Sequence, residues 1–312
     1  MQYGFGVDLG GTSVKIAYFD KTGTMLDKWE IPTRTAGGGE QILPDIAAAV
    51  LGYLAAHGID RSAILGIGLG VPGPVDDRSV VNRCVNLGWG VTDLRATLGA
   101  LTGLPVKGGN DANVAALGEA WKGGGENCEN MVLATLGTGV GGGIILGGRP
   151  INGMHGAGGE IGHMVLEPGE PEACGCGKHG CAEQYCSATG VVRVARRTLA
   201  GSEEPSVLRA MPDFTCKDVF DAGRAGDALA LRALERVYEY MGRFLANVCC
   251  VVDPEVVVLG GGVSRAGQML LDGVAPYFQR YAFHACRGTR FALAKLGNDA
   301  GAYGAFKLIL DC

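Results

Sequence analysis

The sequence has no apolar run long enough to cross a membrane. None of the hydrophobic stretches in the 312 residues reaches the roughly 18 residues that mark a candidate span. Residues 1–10 lead directly into strand-like sequence and carry no signal-peptide pattern. We therefore expect a cytoplasmic protein that has no membrane partner.

An excess of positive charge is also missing. The chain has 27 Lys and Arg against 32 Asp and Glu, a net charge of −5 at pH 7. A nucleic-acid-binding surface is usually basic, so we expect no nucleic-acid partner. The one short basic run, at residues 193–197, is interpreted as a solvated helix face.

Glycine and cysteine, in contrast, are plentiful, with 54 and 11 residues respectively. An odd number of cysteines in a long chain without an export signal favours a reducing compartment, where thiols stay free or bind metal. The glycines cluster at the ends of β-like apolar runs. In such places they permit tight turns and let the backbone approach a ligand closely.

One segment combines cysteine with histidine. Cys174, Cys176 and Cys181 form a Cys-x-Cys-x4-Cys pattern, and His163 lies eleven positions before the first of them. Three thiolates and one imidazole are a donor set that closes a four-coordinate structural zinc site. The sequence therefore predicts a zinc knot here.

Two carboxylates, Glu160 and Glu183, bracket the same segment. Carboxylate oxygens accept paired hydrogen bonds from vicinal hydroxyl groups, which a hexose offers. His163 can bind a metal through one ring nitrogen and donate a hydrogen bond from the other. We expect the knot to hold a rigid polar site for such a ligand.

Two glycine-rich hairpin turns of similar form occur in the two halves of the chain, VDLGGT at residues 7–12 and LGTGVGG at 136–142. Backbone N–H groups in such turns make concave anion sites, although neither turn has the P-loop pattern. Thr12 adds a hydroxyl donor, Lys15 a positive charge, and Asp8 a carboxylate for hydrated Mg²⁺. Ordinary tight turns are the alternative interpretation, but the matched pair favours phosphate binding and a duplicated architecture.

Asn110 and Asp111 lie where a predicted strand ends and a helix begins. Ligands gather at the carboxyl ends of strands in α/β sheets. An aspartate here can cap its helix or accept the proton of a substrate hydroxyl during phosphoryl transfer, and the adjacent asparagine favours the second role. GGGVS at residues 260–264 has two interpretations. Its bare backbone could lie against a purine ring or ribose, or it could form only a tight βα turn.

Together these motifs resemble the ROK family of bacterial sugar kinases and repressors over nearly the whole chain. The motifs that carry the resemblance are VDLGGT (7–12), GNDAN (109–113), LGTGVGGG (136–143), GEIGH (159–163), CGCGKHGCAE (174–183), GGGVS (260–264) and DAGAYGA (299–305). CSATG at 186–190 and NLGW at 86–89 resemble the glucokinases of that family most.

The resemblance implies an α/β fold of the actin-like ATPase (ribonuclease H-like) type, with two lobes around a cleft. We expect a small lobe of residues 1–112 with a C-terminal helix 300–312. The large lobe would be residues 113–299 and carry the zinc knot at 163–181. The resemblance also implies a homodimer or homotetramer.

The implied activity is ATP- and Mg²⁺-dependent phosphorylation of the 6-hydroxyl of glucose, with Asp111 as the base. The implied sugar contacts are Asn110, Asp111, Glu160, His163 and Glu183. The residues expected at the ATP phosphates, Mg²⁺ and adenosine are Asp8, Gly10, Gly11, Thr12, Lys15, Thr138, Gly139, Gly261 and Gly262. The implied ligands of a structural Zn²⁺ are His163, Cys174, Cys176 and Cys181.

Several alternatives stay open at this point. Family members that phosphorylate N-acetylglucosamine, N-acetylmannosamine, fructose or allose share most of the motifs, and polyphosphate is a possible donor. The repressors carry an N-terminal helix-turn-helix segment, whereas here the phosphate-loop strand begins by Gly4. A non-catalytic sugar-binding regulator is disfavoured, because it would be expected to lose Asp111 or a phosphate loop.

Overall fold

The computed structural model of the protein describes residues 2–310. Over this range it contains twelve β-strands and nine α-helices. The strands are β1 (Tyr3–Leu9), β2 (Ser13–Asp20), β3 (Met25–Pro32), β4 (Ile64–Val71), β5 (Val80–Val81), β6 (Thr92–Asp93), β7 (Val106–Asn110), β8 (Met131–Leu136), β9 (Val140–Leu146), β10 (Arg149–Pro150), β11 (Val256–Gly260) and β12 (Arg290–Leu293). The helices are α1 (Ile42–Ala56), α2 (Leu94–Thr102), α3 (Asp111–Lys122), α4 (Glu183–Cys186), α5 (Ala188–Ala200), α6 (Cys216–Arg224), α7 (Ala228–Val252), α8 (Gln268–Tyr281) and α9 (Ala300–Leu310).

The first sheet has the strand order β3-β2-β1-β4-β7. Strands β1, β2 and β3 form an antiparallel meander, while β1, β4 and β7 run parallel. In this register Asp8 lies beside Gly70, and Gly70 lies beside Gly109. Asp8 and the end of β7 therefore lie at the same carboxyl edge, separated by one strand, where α/β sheets bind their ligands.

The second sheet has the strand order β10-β9-β8-β11-β12. Strands β8, β11 and β12 are parallel, with Gly260 beside Thr135, and β9 and β10 form an antiparallel hairpin. Its order repeats that of the first sheet strand for strand. The predicted duplicated architecture is confirmed.

The C-terminal helix α9 packs directly against the first sheet through glycines. A Cβ on Gly6 would collide with the carbonyl oxygen of Ala302, and one on Gly68 would collide with that of Ala305. Only glycine allows this approach of helix backbone to strand backbone. The prediction that the terminal helix packs on the first domain is confirmed.

Contacts divide the chain into two compact units, the first being Met1–Glu129, Gly143–Gly159 and Lys295–Cys312, the second Asn130–Gly142 and Glu160–Ala294. Helix α3 belongs to the first unit by this criterion. The division into lobes at residues 112 and 299 stays a prediction.

Helices α5, α6 and α7 follow the knot in the chain. Helix α7 is the longest of the described helices at 25 residues, and it carries charged side chains along its exposed face. Within residues 2–310 no helix combines the length and the apolar composition needed to cross a bilayer.

Candidate functional site

The four predicted zinc ligands converge in the second unit. The donor atoms of His163, Cys174, Cys176 and Cys181 all lie within 4.8 Å of one another. The Cys174 Sγ–His163 Nδ1 distance is 3.8 Å and the Cys176 Sγ–Cys181 Sγ distance is 3.7 Å. Zn–S bonds of about 2.3 Å in a tetrahedron place two sulfurs about 3.7 Å apart. Donor type and spacing both fit a Zn²⁺ ion.

Hydrogen bonds to backbone carbonyl oxygens hold the segments of the knot together. The Lys178 Nζ donates to the carbonyl oxygen of His163 at 2.9 Å, and the backbone N–H of Leu166 donates to Gly180 at 2.7 Å. Gly180 has a φ of +73°, and a Cβ there would collide with the carbonyl oxygen of Glu167. The turn before the last cysteine therefore requires glycine.

The three thiols differ in how easily they ionise. Burial raises the pKa of Cys181 to about 12 and also raises the pKa of Cys174. The backbone N–H of Lys178 lowers the pKa of Cys176, which is exposed. Buried thiolates are costly without a neighbouring cation, and a dication at the centre of the cluster would offset that cost.

His163 also faces one of the two predicted sugar-binding carboxylates. Its Nδ1 points to the cysteine cluster, while its Nε2 lies 4.0 Å from a carboxylate oxygen of Glu160. The Glu160 side chain is 63% exposed, so its oxygens are accessible to a ligand. At 4.0 Å the two groups are close but not hydrogen-bonded, so both can contact the same ligand.

Glu183 joins the knot to the second glycine-rich turn. It is the first residue of α4, its Oε2 accepts a hydrogen bond from the backbone N–H of Val140 at 3.0 Å, and its Oε1 lies 3.4 Å from Cys174 Sγ. A Cβ on Gly139 would collide with the Glu183 carboxylate. The glycine at this position is thus needed for the carboxylate to approach the turn.

The start of α5 holds the same turn from its other side. Ser187 caps the helix by accepting from the backbone N–H of Gly190 at 3.0 Å. The Thr189 hydroxyl donates to the carbonyl oxygen of Thr138 at 2.8 Å, and the backbone N–H of Ala188 donates to Gly137 at 2.8 Å. The CSATG motif therefore fixes the backbone at Thr138.

Gly261 lies against the end of β8. Its φ is +80°, and a Cβ there would be 2.6 Å from the carbonyl carbon of Leu136. The Ser264 hydroxyl donates to the Gly261 carbonyl oxygen at 2.7 Å. A short 3₁₀ turn, Val263–Ala266, precedes α8, so Gly261 and Gly262 present bare backbone at the carboxyl edge of β8 and β11.

An ion-pair network around the buried Glu170 was not predicted. Glu170 is 4% exposed, and Arg197 donates to both of its carboxylate oxygens at 2.7 Å. These bonds, together with that from the Tyr185 hydroxyl, lower the pKa of Glu170 to about 2. Arg193 and Arg197 also pair with Glu172 at 3.1 Å.

Residues 193–197 do lie on a helix, α5, and Arg196 and Arg197 are exposed, so the solvated face is confirmed for those two residues. Arg193 is half-buried, and the ion pairs of Arg193 and Arg197 were not predicted. Each arginine lies more than twenty residues from its carboxylate partners. Local sequence spacing predicts side-chain pairs only along one helix or strand, so no sequence pattern could have found this network.

In the first unit, Asp8 lies at the end of β1 beside the first glycine-rich turn. Its carboxylate is 3.8 Å from Lys15 Nζ. Burial raises the pKa of Asp8 despite this lysine. The turn itself is closed by a bond from the backbone N–H of Gly10 to Ser13 at 3.0 Å, with Gly11 and Thr12 exposed at its tip. A partly buried carboxylate oxygen is a suitable ligand for hydrated Mg²⁺.

Asn110, not Asp111, caps helix α3. Its Oδ1 accepts from the backbone N–H groups of Ala112 at 3.1 Å and Asn113 at 3.2 Å, and its Nδ2 donates to Gly73 at 3.0 Å. Asp111 is the first helical residue, half-buried, with Oδ1 accepting from Ala112 at 2.8 Å. Asp111 therefore also accepts a hydrogen bond from a first-turn N–H group, and the helix macrodipole favours its negative charge. Its role as the base stays a prediction.

Each unit thus contains its own group of predicted site residues. In the second unit the structure brings the four candidate zinc ligands together with Glu160 and Glu183. In the first unit Asp8 shares a sheet edge with Asn110 and Asp111.

Comparison with known proteins supplies the family. A family model described as ROK family matches residues 4–312. The chain belongs to the ROK family. Over 309 residues this ROK protein is 43% identical to a glucokinase of Halalkalibacterium halodurans, a match that covers 97% of this chain and 94% of the relative. It is 31% identical to an N-acetyl-D-glucosamine kinase of Aliivibrio salmonicida over 98% of both chains.

Solved structures show the same fold. The ROK hexokinase of Thermus thermophilus matches with a TM-score of 0.79 at 34% identity, over 100% of both chains. A ROK glucokinase from Streptomyces griseus, solved in complex with glucose and AMPPNP, matches with a TM-score of 0.71 at 33% identity, over 98% of both chains. The predicted α/β fold of the actin-like ATPase type is confirmed for this ROK protein.

Proposed function

We propose that this ROK protein is an ATP- and Mg²⁺-dependent glucokinase that transfers the γ-phosphoryl group to the 6-hydroxyl of glucose. The proposal rests first on the division of roles between Asn110 and Asp111. Because Asn110 caps α3, an aspartate is not needed at the next position for the helix to form. A carboxylate at the carboxyl edge of a parallel sheet is placed where substrates bind.

Asp111 acts in this proposal as the general base. It accepts the proton of the 6-hydroxyl as the oxygen attacks the γ-phosphorus and the bond to the β-phosphate oxygen breaks. Positioning and charge stabilisation account for most of the catalysis in phosphoryl transfer. Backbone N–H groups of the two glycine-rich turns, with Thr12, Thr138 and Lys15, contact the ATP phosphates, and Gly261 and Gly262 contact the adenosine.

The sugar is bound by Asn110, Glu160, His163 and Glu183. The Asn110 amide bonds Gly73 through one N–H, and its second N–H can donate to a sugar hydroxyl. Once Cys174 is a metal-bound thiolate it no longer donates a proton, so Glu183 Oε1 can accept from a sugar hydroxyl instead. The His163 Nε2 can donate to another.

Two metal ions belong to the proposal. Zn²⁺ held by His163, Cys174, Cys176 and Cys181 would fix the geometry of the adjacent sugar-binding side chains without taking part in the chemistry. Mg²⁺ near Asp8 would neutralise charge on the phosphates. We also propose a cytoplasmic location, a homodimer or homotetramer, and lobes of residues 1–112 with 300–312 and of 113–299.

An N-acetylhexosamine kinase is the second candidate. The identity of 31% to the N-acetyl-D-glucosamine kinase favours it. The identity of 43% to the glucokinase favours glucose, and the two sugars would contact the same hydroxyl-binding residues.

A coupled ADP-release assay with ATP and Mg²⁺ tests the proposal over a panel of glucose, mannose, N-acetylglucosamine, N-acetylmannosamine, fructose and allose. We expect the highest kcat/KM for glucose. A higher kcat/KM for an N-acetylated sugar would make that sugar the substrate instead of glucose, and the proposal that Asp111 is the base would stand. No ADP release with any sugar would reject ATP-dependent hexose phosphorylation, and direct detection of glucose 6-phosphate with polyphosphate tests the other donor.

A further inference from the structure

The first unit contains a large cavity away from its carboxyl sheet edge. Its volume is about 630 Å³, within the range of small-molecule sites. It lies at the amino ends of β4 and β7, with Leu65, Leu104, Val106 and Ile309 among its lining residues. An apolar wall of this kind can accept the carbon skeleton of a ligand.

The polar part of the same wall is predominantly cationic. Arg78, Arg95 and Lys107 line the cavity with a single carboxylate, that of Asp77. Arg78 pairs with Asp76 at 3.0 Å. Among residues 2–310 neither Arg95 nor Lys107 has a hydrogen-bond or ion-pair partner on its side chain. The exposed Arg95 and the half-buried Lys107 thus face one cavity with no partner for their charges among the described residues, and together they can attract an anionic ligand.

A strained residue forms part of the wall. Ser79 is 2% exposed and has a φ of +69°, a left-handed conformation that is costly for a residue with a Cβ. Its Oγ accepts a hydrogen bond from the backbone N–H of Gly108 at 2.9 Å, which leaves the hydroxyl proton to donate. The buried Ser79 thus fixes the backbone of β7 beside Lys107, which lines the cavity.

The cavity is connected to the helix that carries Asp111. Asp77 accepts from Asn152 at 2.9 Å, and Asn152 accepts from the buried Asn113 of α3 at 3.1 Å. Strand β7 also runs from Lys107 at the cavity to Asn110 at the start of α3. A ligand that moves the cavity wall can therefore affect α3 through side chains and backbone.

We propose that this cavity binds a small phosphate ester, with Arg95 and Lys107 contacting the phosphate and the apolar wall contacting its carbon skeleton. Arginine and lysine supply charge-assisted hydrogen bonds to phosphate oxygens. The site is separate from the sheet edge at which Asp8 and Asp111 lie. Binding of the phosphate ester in this cavity does not depend on the proposed kinase activity.

Isothermal titration calorimetry with glycerol 3-phosphate tests the proposal, in the presence of saturating glucose and AMPPNP so that the proposed catalytic site is occupied. We expect one binding event per chain, with an affinity that falls as ionic strength rises. The double variant Arg95→Gln/Lys107→Gln should bind at least tenfold more weakly. Inorganic phosphate should bind more weakly than the ester, because it does not reach the apolar wall.

The matched control is Lys21→Gln/Arg287→Gln, which removes the same charge at exposed positions outside the cavity. It should bind like the unaltered protein. Absence of saturable binding by the unaltered protein overturns the proposal, and so does equal binding by the Arg95/Lys107 variant. An equal loss of affinity in both double variants would show that only the net charge matters, and this result also overturns the proposal. Single substitutions Arg95→Gln and Lys107→Gln give a second measurement if the double variant does not fold.

Discussion

The carboxylate of Asp8 lies directly against the Cα of Gly301 at the start of α9. A Cβ added to Gly301 would be 2.6 Å from Asp8 Cγ and 2.8 Å from Oδ1, closer than side-chain atoms approach in proteins. The glycine of the DAGAYGA motif therefore leaves space for the carboxylate that we propose as the Mg²⁺ ligand.

Gly301→Ala should displace the Asp8 carboxylate and raise the Mg²⁺ concentration needed for half-maximal activity several-fold. The activity assay at fixed ATP and varied Mg²⁺ measures this. Gly52→Ala is the control, because Gly52 lies within α1 and has no atom near the added Cβ. It should stabilise the protein by about 0.5–1 kcal/mol and leave the Mg²⁺ dependence alone. An unchanged Mg²⁺ dependence in Gly301→Ala would argue against a metal role for Asp8.

Asp111→Asn should lower kcat by about 10²–10⁴-fold, the usual contribution of a general base. Glucose binding measured by calorimetry should change little, because the hydroxyl-binding carboxylates remain. The control is Asp93→Asn, since Asp93 caps α2 and asparagine caps as well as aspartate does. Substantial residual turnover in Asp111→Asn would remove Asp111 as the base.

Cys176→Ser should lower the zinc content well below one ion per chain, because a structural zinc site needs all four ligands. We expect KM for the sugar to rise as Glu160 and Glu183 lose their support. Zinc analysis by mass spectrometry and steady-state kinetics check both. Cys250 is also exposed, so Cys250→Ser is the matched control. Unchanged zinc content and KM in Cys176→Ser would show that the cluster is not a zinc site.

Glu170→Gln should destabilise the protein by about 3 kcal/mol at pH 7. The pKa of Glu170 falls from 4.5 to about 2 on folding, chiefly through the Arg197 bonds, and each pKa unit is about 1.4 kcal/mol. Because the folded-state pKa is the lower one, this stabilisation is fully present above pH 4.5. It is lost as the pH falls from there towards 2.

Urea unfolding of the unaltered protein and of Glu170→Gln across this pH range measures the difference between them. The difference should be constant above about pH 6 and shrink on acidification. Glu172→Gln, at an exposed member of the same network, should cost less than about 1 kcal/mol. A difference that grew as the pH fell would contradict the assignment.

Local patterns were sufficient to predict much of this protein. The knot could be predicted because its ligands lie within nineteen residues of one another and their spacing is a property of zinc. The two glycine-rich hairpin turns and the duplicated architecture could be predicted because hairpins and glycine turns leave a short-range pattern.

The roles that depend on distant contacts could not be predicted. The sequence alone did not decide which of Asn110 and Asp111 caps the helix and which acts as the base, because both residue types cap helices well. The bond from Asn110 to Gly73, 37 residues away, is one contact that fixes its orientation. The pairing of Arg197 with Glu170 likewise depends on tertiary contacts and has no local pattern.

The cysteine cluster is uneven in its exposure, since Cys174 and Cys181 are buried and Cys176 faces solvent. Any ion held there would leave one bond at a time, and the first bond to break would be the one that an incoming thiol or chelator can reach. The residence time of the ion would therefore be set at Cys176, whereas the equilibrium affinity is shared by all four ligands. A site of this kind could hold a metal ion tightly and still exchange it at a rate that the surrounding solution controls.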